Sequence, residues 1–290
     1  MRSFAWAPAR SVAEAIDLLA RHGEGAHVMA GGTALVLLMK QGLVEPSAVI
    51  GLGGVDEMRG IAEADGELVI GGAVRLRAIE TSTIVRRVAP VLAEAVGRVA
   101  TIRIRNQATL GGNLAHADPA QDPPPVLLAL DAKIDLAGPG GTRTLPLDEL
   151  FVDVFETAIK PGEILTAIRV PLPPRGTRLA YTKFLPRSVD DYATVSVAAR
   201  LDLAADGTIA DARVALGAVG PVPVRARAVE AALRGRRPDG PTLDAAAELV
   251  DEAIDPIDDV RASAAYRREM ARVWTARTLR QLAAGTEVAT

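Results

Sequence analysis

Thr109-Leu110-Gly111-Gly112-Asn113-Leu114-Ala115-His116-Ala117-Asp118-Pro119-Ala120-Gln121-Asp122 is the stretch that organises this chain. It sets two adjacent glycines, an asparagine, a histidine, two carboxylates and a proline within fourteen positions. Paired glycines let backbone N–H groups approach a ligand that any Cβ would hold away, and they permit positive φ. Successive N–H groups pointing into one concavity make an anion-binding nest. The basic run Arg103-Ile104-Arg105-Asn106 precedes the stretch and the apolar run Val126–Leu130 follows it. A second place of the same kind lies about eighty residues upstream, at Ala30-Gly31-Gly32-Thr33-Ala34-Leu35. There a short apolar run ends at two glycines and a helix begins, which presents free N–H groups to a phosphate. Two such loops point to a ligand with two phosphates, gripped from both sides.

The rest of the chain narrows the class. With 290 residues it is long enough for two domains and a sizeable core. A net charge of −3 argues against a nucleic-acid binder. Cysteine is absent, which excludes structural disulfides, thiolate metal sites and iron–sulfur clusters held by this chain's cysteines. Met1–Pro8 lacks the apolar run of a signal peptide, and no stretch approaches the ~20 apolar residues of a membrane span. The expectation is a cytoplasmic protein.

Along the chain, Ser11 and Glu14 form a capping box that opens a helix over Val12–Arg21. A strand over His27–Ala30, the Gly31-Gly32 turn, a helix over Ala34–Gln41 and a strand over Ala48–Leu52 follow. The turn carries neither G-x-G-x-x-G nor G-K-[ST], so it is neither a dinucleotide fingerprint nor a Walker loop. Asp65-Gly66 predicts a hairpin and Gly71-Gly72 a lead-in to helices over Arg75–Glu80 and Ala89–Val99. Pro123-Pro124-Pro125 suits a first helical turn, with Asp122 as its N-cap and the helix running over Val126–Ala132. A hairpin across Gly138–Gly141, a short helix over Leu147–Val152 and a strand over Glu163–Val170 come next. Beyond the linker Pro171–Gly176 the pattern changes to antiparallel strands over Arg178–Leu185, Ala193–Leu203 and Thr208–Val219. Helices over Arg225–Leu233, Leu243–Ile254 and Arg261–Ala283 close the chain.

Candidate chemistry is sparse. His22, His27 and His116 are too scattered for a metal site, so no metal is expected. His116 reads as a hydrogen-bonding loop residue or a base. Asp118 and Asp122 read as paired carboxylates, or as a turn former before Pro119 and a helix cap. No nucleophile motif occurs, and no catalytic residue is assigned. Six arginines between Arg261 and Arg280 suggest a solvated or subunit-contacting helix face. Lys183, on a predicted strand, either faces negative charge on a reduced ring system or solvates a strand edge.

Taken together, Ala30-Gly31-Gly32-Thr33-Ala34-Leu35, Thr109-Leu110-Gly111-Gly112-Asn113 and His116-Ala117-Asp118-Pro119-Ala120-x-Asp122 resemble the flavin signatures of molybdenum hydroxylases. The likeness is to their FAD-binding medium subunit, as in carbon monoxide dehydrogenase and bacterial xanthine dehydrogenases, and it covers essentially the whole chain. It implies an α+β fold: a two-part FAD-binding domain of the p-cresol methylhydroxylase type over 1–175, divided at about 57/58. A smaller domain over 176–290 follows, with an antiparallel sheet packed by helices.

The resemblance also implies roles. Val28, Met29, Ala30, Gly31, Gly32, Thr33, Ala34 and Leu35 would hold the FAD pyrophosphate from one side, and Thr109, Leu110, Gly111, Gly112 and Asn113 from the other. Val99 joins the cofactor contacts. Asp122 would bond the cofactor's polyol or ribose hydroxyls, and Leu165 or its neighbour Ile164 would supply an apolar contact. Lys183 would stabilise negative charge at the pyrimidine edge of the reduced flavin. Tyr192, in Asp190-Asp191-Tyr192-Ala193, would set its ring against the isoalloxazine. Relatives with a cysteine-bearing insertion for an extra cluster are excluded by the composition.

The functional expectation is an electron-transfer subunit of a heterohexamer, a dimer of heterotrimers. The molybdopterin–molybdenum site would lie on a large partner subunit and two [2Fe–2S] clusters on a small one. The alternative is a stand-alone FAD-dependent oxidase or dehydrogenase, which would turn over an organic substrate without partner chains.

Overall fold

The computed structural model describes residues 2–185, 188 and 191–285. Ser11 opens the first helix as the sequence requires: its hydroxyl accepts from Glu14 N at 3.1 Å while the Glu14 carboxylate accepts from Arg10 N at 2.8 Å. That helix, α1 (Val12–His22), joins β1 (Ala5–Pro8) to β2 (Ala26–Met29); α2 (Leu35–Gln41) then leads to β3 (Ala48–Gly51). The three strands form a parallel sheet in the order β1-β3-β2, which buries Ala48, Val49 and Ile50. β1 has no counterpart in the sequence reading, because four residues with a mostly exposed pattern give no alternation signal.

β4 (Ile61–Ala64) and β5 (Glu67–Gly71) turn at Asp65-Gly66, both with positive φ. Helices α3 (Leu76–Thr81), α4 (Thr83–Val88), α5 (Pro90–Gly97), α6 (Ile102–Arg105), α7 (Leu110–His116) and α8 (Pro123–Ala129) follow. β6 (Lys133–Gly138) and β7 (Gly141–Pro146) make the second hairpin. Where a helix over Leu147–Val152 is expected, only a single 3-10 turn forms before the small hairpin of β8 (Phe151–Asp153) and β9 (Glu156–Thr157). β10 (Ile164–Pro171) runs between β5 and β6, completing an antiparallel five-stranded sheet in the order β4-β5-β10-β6-β7.

β11 (Arg178–Phe184), β12 (Val195–Leu203), β13 (Ile209–Gly217) and β14 (Val224–Arg225) form a third, antiparallel sheet. α9 (Arg227–Leu233), α10 (Gly240–Glu248) and α11 (Ala264–Ala284) complete the chain. α9 packs on β13 and α11 on β11 and β12, while α8 packs on β12, β13 and β14 as well as on α5 and α7. All seven residues of α8 are therefore buried. Of the arginines of α11, Arg277 and Arg280 are exposed and Arg268 and Arg272 partly so, whereas Arg267 is 5% exposed and donates to the carbonyls of Thr194 (3.0 Å) and Ala218 (2.7 Å).

Asp131, in the turn after α8, fastens this arrangement. It takes a left-handed φ of 53° and meets Arg225 at 2.7 Å, Arg213 at 2.9 Å and Arg200 at 3.5 Å, one arginine from each of β14, β13 and β12. Asn tolerates the same backbone conformation. Asp131→Asn is expected to lower stability by about 1–2 kcal/mol, because three cations lose a shared but partly exposed partner. Urea unfolding reads the change, and a wild-type midpoint would deny the cluster its fastening role.

Candidate functional site

The Gly111-Gly112 stretch is a helix start and not an open loop. Thr109 is the N-cap of α7, with φ −112° and ψ 157°, and its hydroxyl accepts from Gly112 N at 3.1 Å. Ahead of it, residues 72–76 run antiparallel to residues 108–111. Leu76 N donates to Ala108 O (2.9 Å), Leu110 N to Val74 O (3.1 Å) and Gly111 N to Gly72 O (3.0 Å). Gly72 N in turn donates to Thr166 O at 2.7 Å on β10. Three backbones are thus stacked with no side chain between them. A Cβ on Gly111 would stand 2.6 Å from Gly72 O, and one on Gly72 would run into Leu165 O.

The upstream pair meets the same layer. A Cβ on Gly31 would lie 2.8 Å from Ala108 Cα and closer still to Gln107 O. Gly32 has φ +72°, a conformation open to glycine and costly for most other residues. So the four glycines divide. Gly31 and Gly111 serve backbone contact within the protein, Gly32 serves a turn, and Gly112 alone is exposed, with only Thr109 Oγ1 within reach of a Cβ. Among the described residues, none accepts a hydrogen bond from the N–H groups of Gly31 to Ala34. A cleft of about 330 Å³ opens beside them, lined by Ala30, Gly31, Gly53, Ala73, Arg75 and Thr109 among others.

On the far side of α7, Gln121 Nε2 donates to Asn113 O at 3.0 Å and ties the next turn to the helix. Asp118 shapes that turn, accepting from Ala120 N at 2.9 Å. Asp122 does not cap α8: its backbone is already helical and its side chain makes no capping bond. The carboxylate turns inward to a pair of residues on β11. Tyr181 donates its hydroxyl to Oδ1 at 2.5 Å, and Lys183 Nζ lies 3.0 Å from Oδ2. Burial raises the Asp122 carboxyl above the usual carboxylate range, opposed by the Lys183 charge and the Tyr181 hydrogen bond. Although β11 is an edge strand, Lys183 does not solvate it, since its side chain is only 3% exposed. Its ammonium also donates to Arg98 O at 2.9 Å.

That carbonyl begins a fixed segment. Arg105 holds the next two, Val99 O at 2.9 Å and Ala100 O at 2.7 Å, with Ala100 at a left-handed φ of 42°. Arg105 is itself paired with Glu80 at 2.9 Å, so the basic lead-in to the glycine stretch is partly scaffold. Tyr192 is half exposed; the Arg261 guanidinium sits 5.0 Å from its ring centre, and burial together with the neighbouring Asp118 carboxylate raises its phenol. Asp190 lies outside the described residues. His116 packs its ring 5.0 Å from Phe155, and burial lowers its imidazole below the ordinary value. Leu165 is buried under Gly72.

The structure thus brings Gly31 and Thr109 to one cleft and joins Lys183 directly to Asp122; Val99 is tied in through its neighbour Arg98, Asn113 through Gln121 and Tyr192 through Asp118. Sequence reasoning omitted Tyr181. Its signal was available, because residues two apart on a strand share a face.

The comparisons agree with this geometry. The family model described as "FAD binding domain in molybdopterin dehydrogenase" matches residues 2–173, and "CO dehydrogenase flavoprotein C-terminal domain" matches residues 180–282. The chain is 35% identical to the carbon monoxide dehydrogenase medium chain of Afipia carboxidovorans, over 96% of each. It is also 35% identical to the 6-hydroxypseudooxynicotine dehydrogenase complex subunit alpha of Paenarthrobacter nicotinovorans, over 96% of this chain and 93% of that one. Among solved structures, a chain of the carbon monoxide dehydrogenase of Hydrogenophaga pseudoflava superposes with a TM-score of 0.95 at 35% identity, covering 99% of both. With matched domains spanning nearly all of its α+β architecture, the chain belongs to the FAD-binding medium subunits of the molybdenum hydroxylases, a family of oxidoreductases.

Proposed function

We propose that the chain carries electrons from [2Fe–2S] clusters on a partner subunit through FAD to an external acceptor. A large molybdopterin-binding subunit and a small subunit with two [2Fe–2S] clusters complete a cytoplasmic dimer of heterotrimers. The change of sheet and the family matches to residues 2–173 and 180–282 support a division at 1–175 and 176–290.

The residues present fit the cofactor. Unpartnered N–H groups at Gly31–Ala34 supply donors for a pyrophosphate, Gly31 and Thr109 line one cleft, and the exposed backbone at Gly112 permits close approach. Val28–Leu35, with the Thr33 hydroxyl, would hold it from one side and Thr109–Asn113 from the other. Val99, Leu165 and Tyr192 would bound the rings, and Asp122 keeps lone pairs free for a hydroxyl after serving Tyr181 and Lys183. When bound, FAD supplies the redox chemistry; the protein binds, orients and tunes it. Lys183 supplies a cation in a site closed to water, where charge acts more strongly than in bulk solvent.

The convergence of the two glycine turns carries this reading, and Gly112 tests it. A Cβ there meets only the Thr109 hydroxyl, at 2.9 Å, and no backbone outside its own helix, so Gly112→Val is expected to fold with a small shift of the cap and to lose most of its FAD. Flavin content per chain after gel filtration gives the answer, and wild-type occupancy would take this loop out of the phosphate site. Turnover of an organic substrate by the isolated chain would favour the stand-alone oxidase instead. Affinity capture of the intact complex should yield molybdenum and about four irons per heterotrimer, from two iron atoms in each [2Fe–2S] cluster.

A further inference from the structure

Tyr181 and Lys183 leave the same face of β11 and end on one carboxylate of the preceding part of the chain. Asp122 is 4% exposed and Tyr181 2%. Phenylalanine would fill the same volume, so packing alone gives no reason for a hydroxyl at position 181. A buried hydroxyl is unfavourable unless bonded, and this one bonds a charge. The other charged and titratable groups that act on Asp122 and Tyr181 are Arg98, whose guanidinium lies 6.0 Å from the Tyr181 ring centre, and Tyr192 beyond it. The Ser196 hydroxyl flanks the phenol from β12.

We propose that Tyr181 is a positioning residue of the flavin site: its hydroxyl keeps Asp122 a carboxylate in a dry pocket, and that carboxylate fixes the Lys183 ammonium. The proposal rests on the reading of Lys183 as the cation beside the cofactor. An ammonium has three N–H donors. Asp122 Oδ2 and Arg98 O take two, which leaves one for a ligand. Without the phenolic donor, burial favours the neutral acid at Asp122. The Lys183 charge is then no longer balanced, and its field outside the pair grows.

Tyr181→Phe in the full chain separates the parts. In apo-protein labelled with 13C-carboxyl aspartate, the Asp122 resonance should titrate at higher pH than in wild type. In FAD-loaded protein the midpoint potential should lie above wild type between the two Asp122 titration midpoints, and converge on it at higher pH, where Asp122 is ionised in both, and at lower pH, where it is neutral in both. In an Asp122→Asn background, adding Tyr181→Phe should change the potential no further. An unshifted Asp122 titration overturns the proposal whatever the flavin does. If the titration shifts and Lys183→Met moves the potential but Tyr181→Phe does not, the proposal also falls, alone. If neither variant moves the potential, it falls together with the cofactor-facing reading of Lys183. Should Tyr181→Phe fail to fold, 3-fluorotyrosine at 181 keeps the shape and strengthens the donor, so the Asp122 titration must move the opposite way.

Discussion

Gly31→Ala and Gly111→Ala are each expected to remove about 3 kcal/mol of stability or more, and the double variant to give no folded chain. Overpacking a core usually costs about 1–3 kcal/mol because neighbouring side chains can change rotamer. Here the obstacles are the backbone of Gln107 and Ala108 for one glycine and of Gly72 for the other, and backbone has no rotamer to change. To admit a methyl group, the 72–76 and 108–111 segments must part and give up hydrogen bonds such as Gly111 N to Gly72 O. Total stabilities of about 5–15 kcal/mol leave little reserve for two such losses. Denaturant midpoints of the single variants, set beside that of Gly112→Val, check the division of labour among the glycines. A wild-type midpoint for Gly111→Ala would mean that the three backbones are not in contact.

Lys183→Met is expected to act twice. Asp122 and Lys183 side chains are 6% and 3% exposed, and removing one partner of a buried pair costs about 3–5 kcal/mol. The loss depends on pH with a definite sign. Burial already raises the Asp122 carboxyl above its unfolded value, and without Lys183 it rises further. Between the unfolded and folded values the native state binds the extra proton, so stability falls as pH rises through that window. The variant should therefore be least stable above it and recover on acidification. The flavin potential should fall in the same direction, most at high pH where an unbalanced carboxylate remains. A loss of ~1.4 kcal/mol corresponds to about 30 mV for a two-electron couple. Spectroelectrochemical titration at two pH values and matched FAD occupancy measures it, and an unmoved potential at both would remove Lys183 from the flavin site.

Local signals in the sequence read well. The Ser11–Glu14 box and the turn at Asp65-Gly66 identify their elements because the deciding atoms lie within a few residues. The glycine stretches mark the site but disguise its form. Glycine is a poor helix former, so a helix with Gly111-Gly112 in its first turn reads as a loop until Gly72 is seen against it. Asp122 shows the limit most plainly. Placed just before three prolines it has every local attribute of a cap, yet its partners are 59 and 61 residues away on β11. Asp131 gathers arginines 69 to 94 residues distant, and nothing near it in the chain announces them. Substrate identity is not written here at all: relatives of equal identity carry names for carbon monoxide and for a nicotine derivative.

The burial of α8 between the helices before it and the third sheet has a consequence for biosynthesis. The ribosome delivers Pro123–Ala129 about seventy residues before Val195, and nearly ninety before Gly217 completes β13. Throughout that interval the side of α8 that will meet β12 and β13 has nothing to cover it. A nascent chain paused at the Pro171–Gly176 linker therefore carries a sticky face, and an expression product truncated there keeps it permanently. Either part made separately is therefore expected to expose apolar surface that α8 and the third sheet cover for each other in the whole chain.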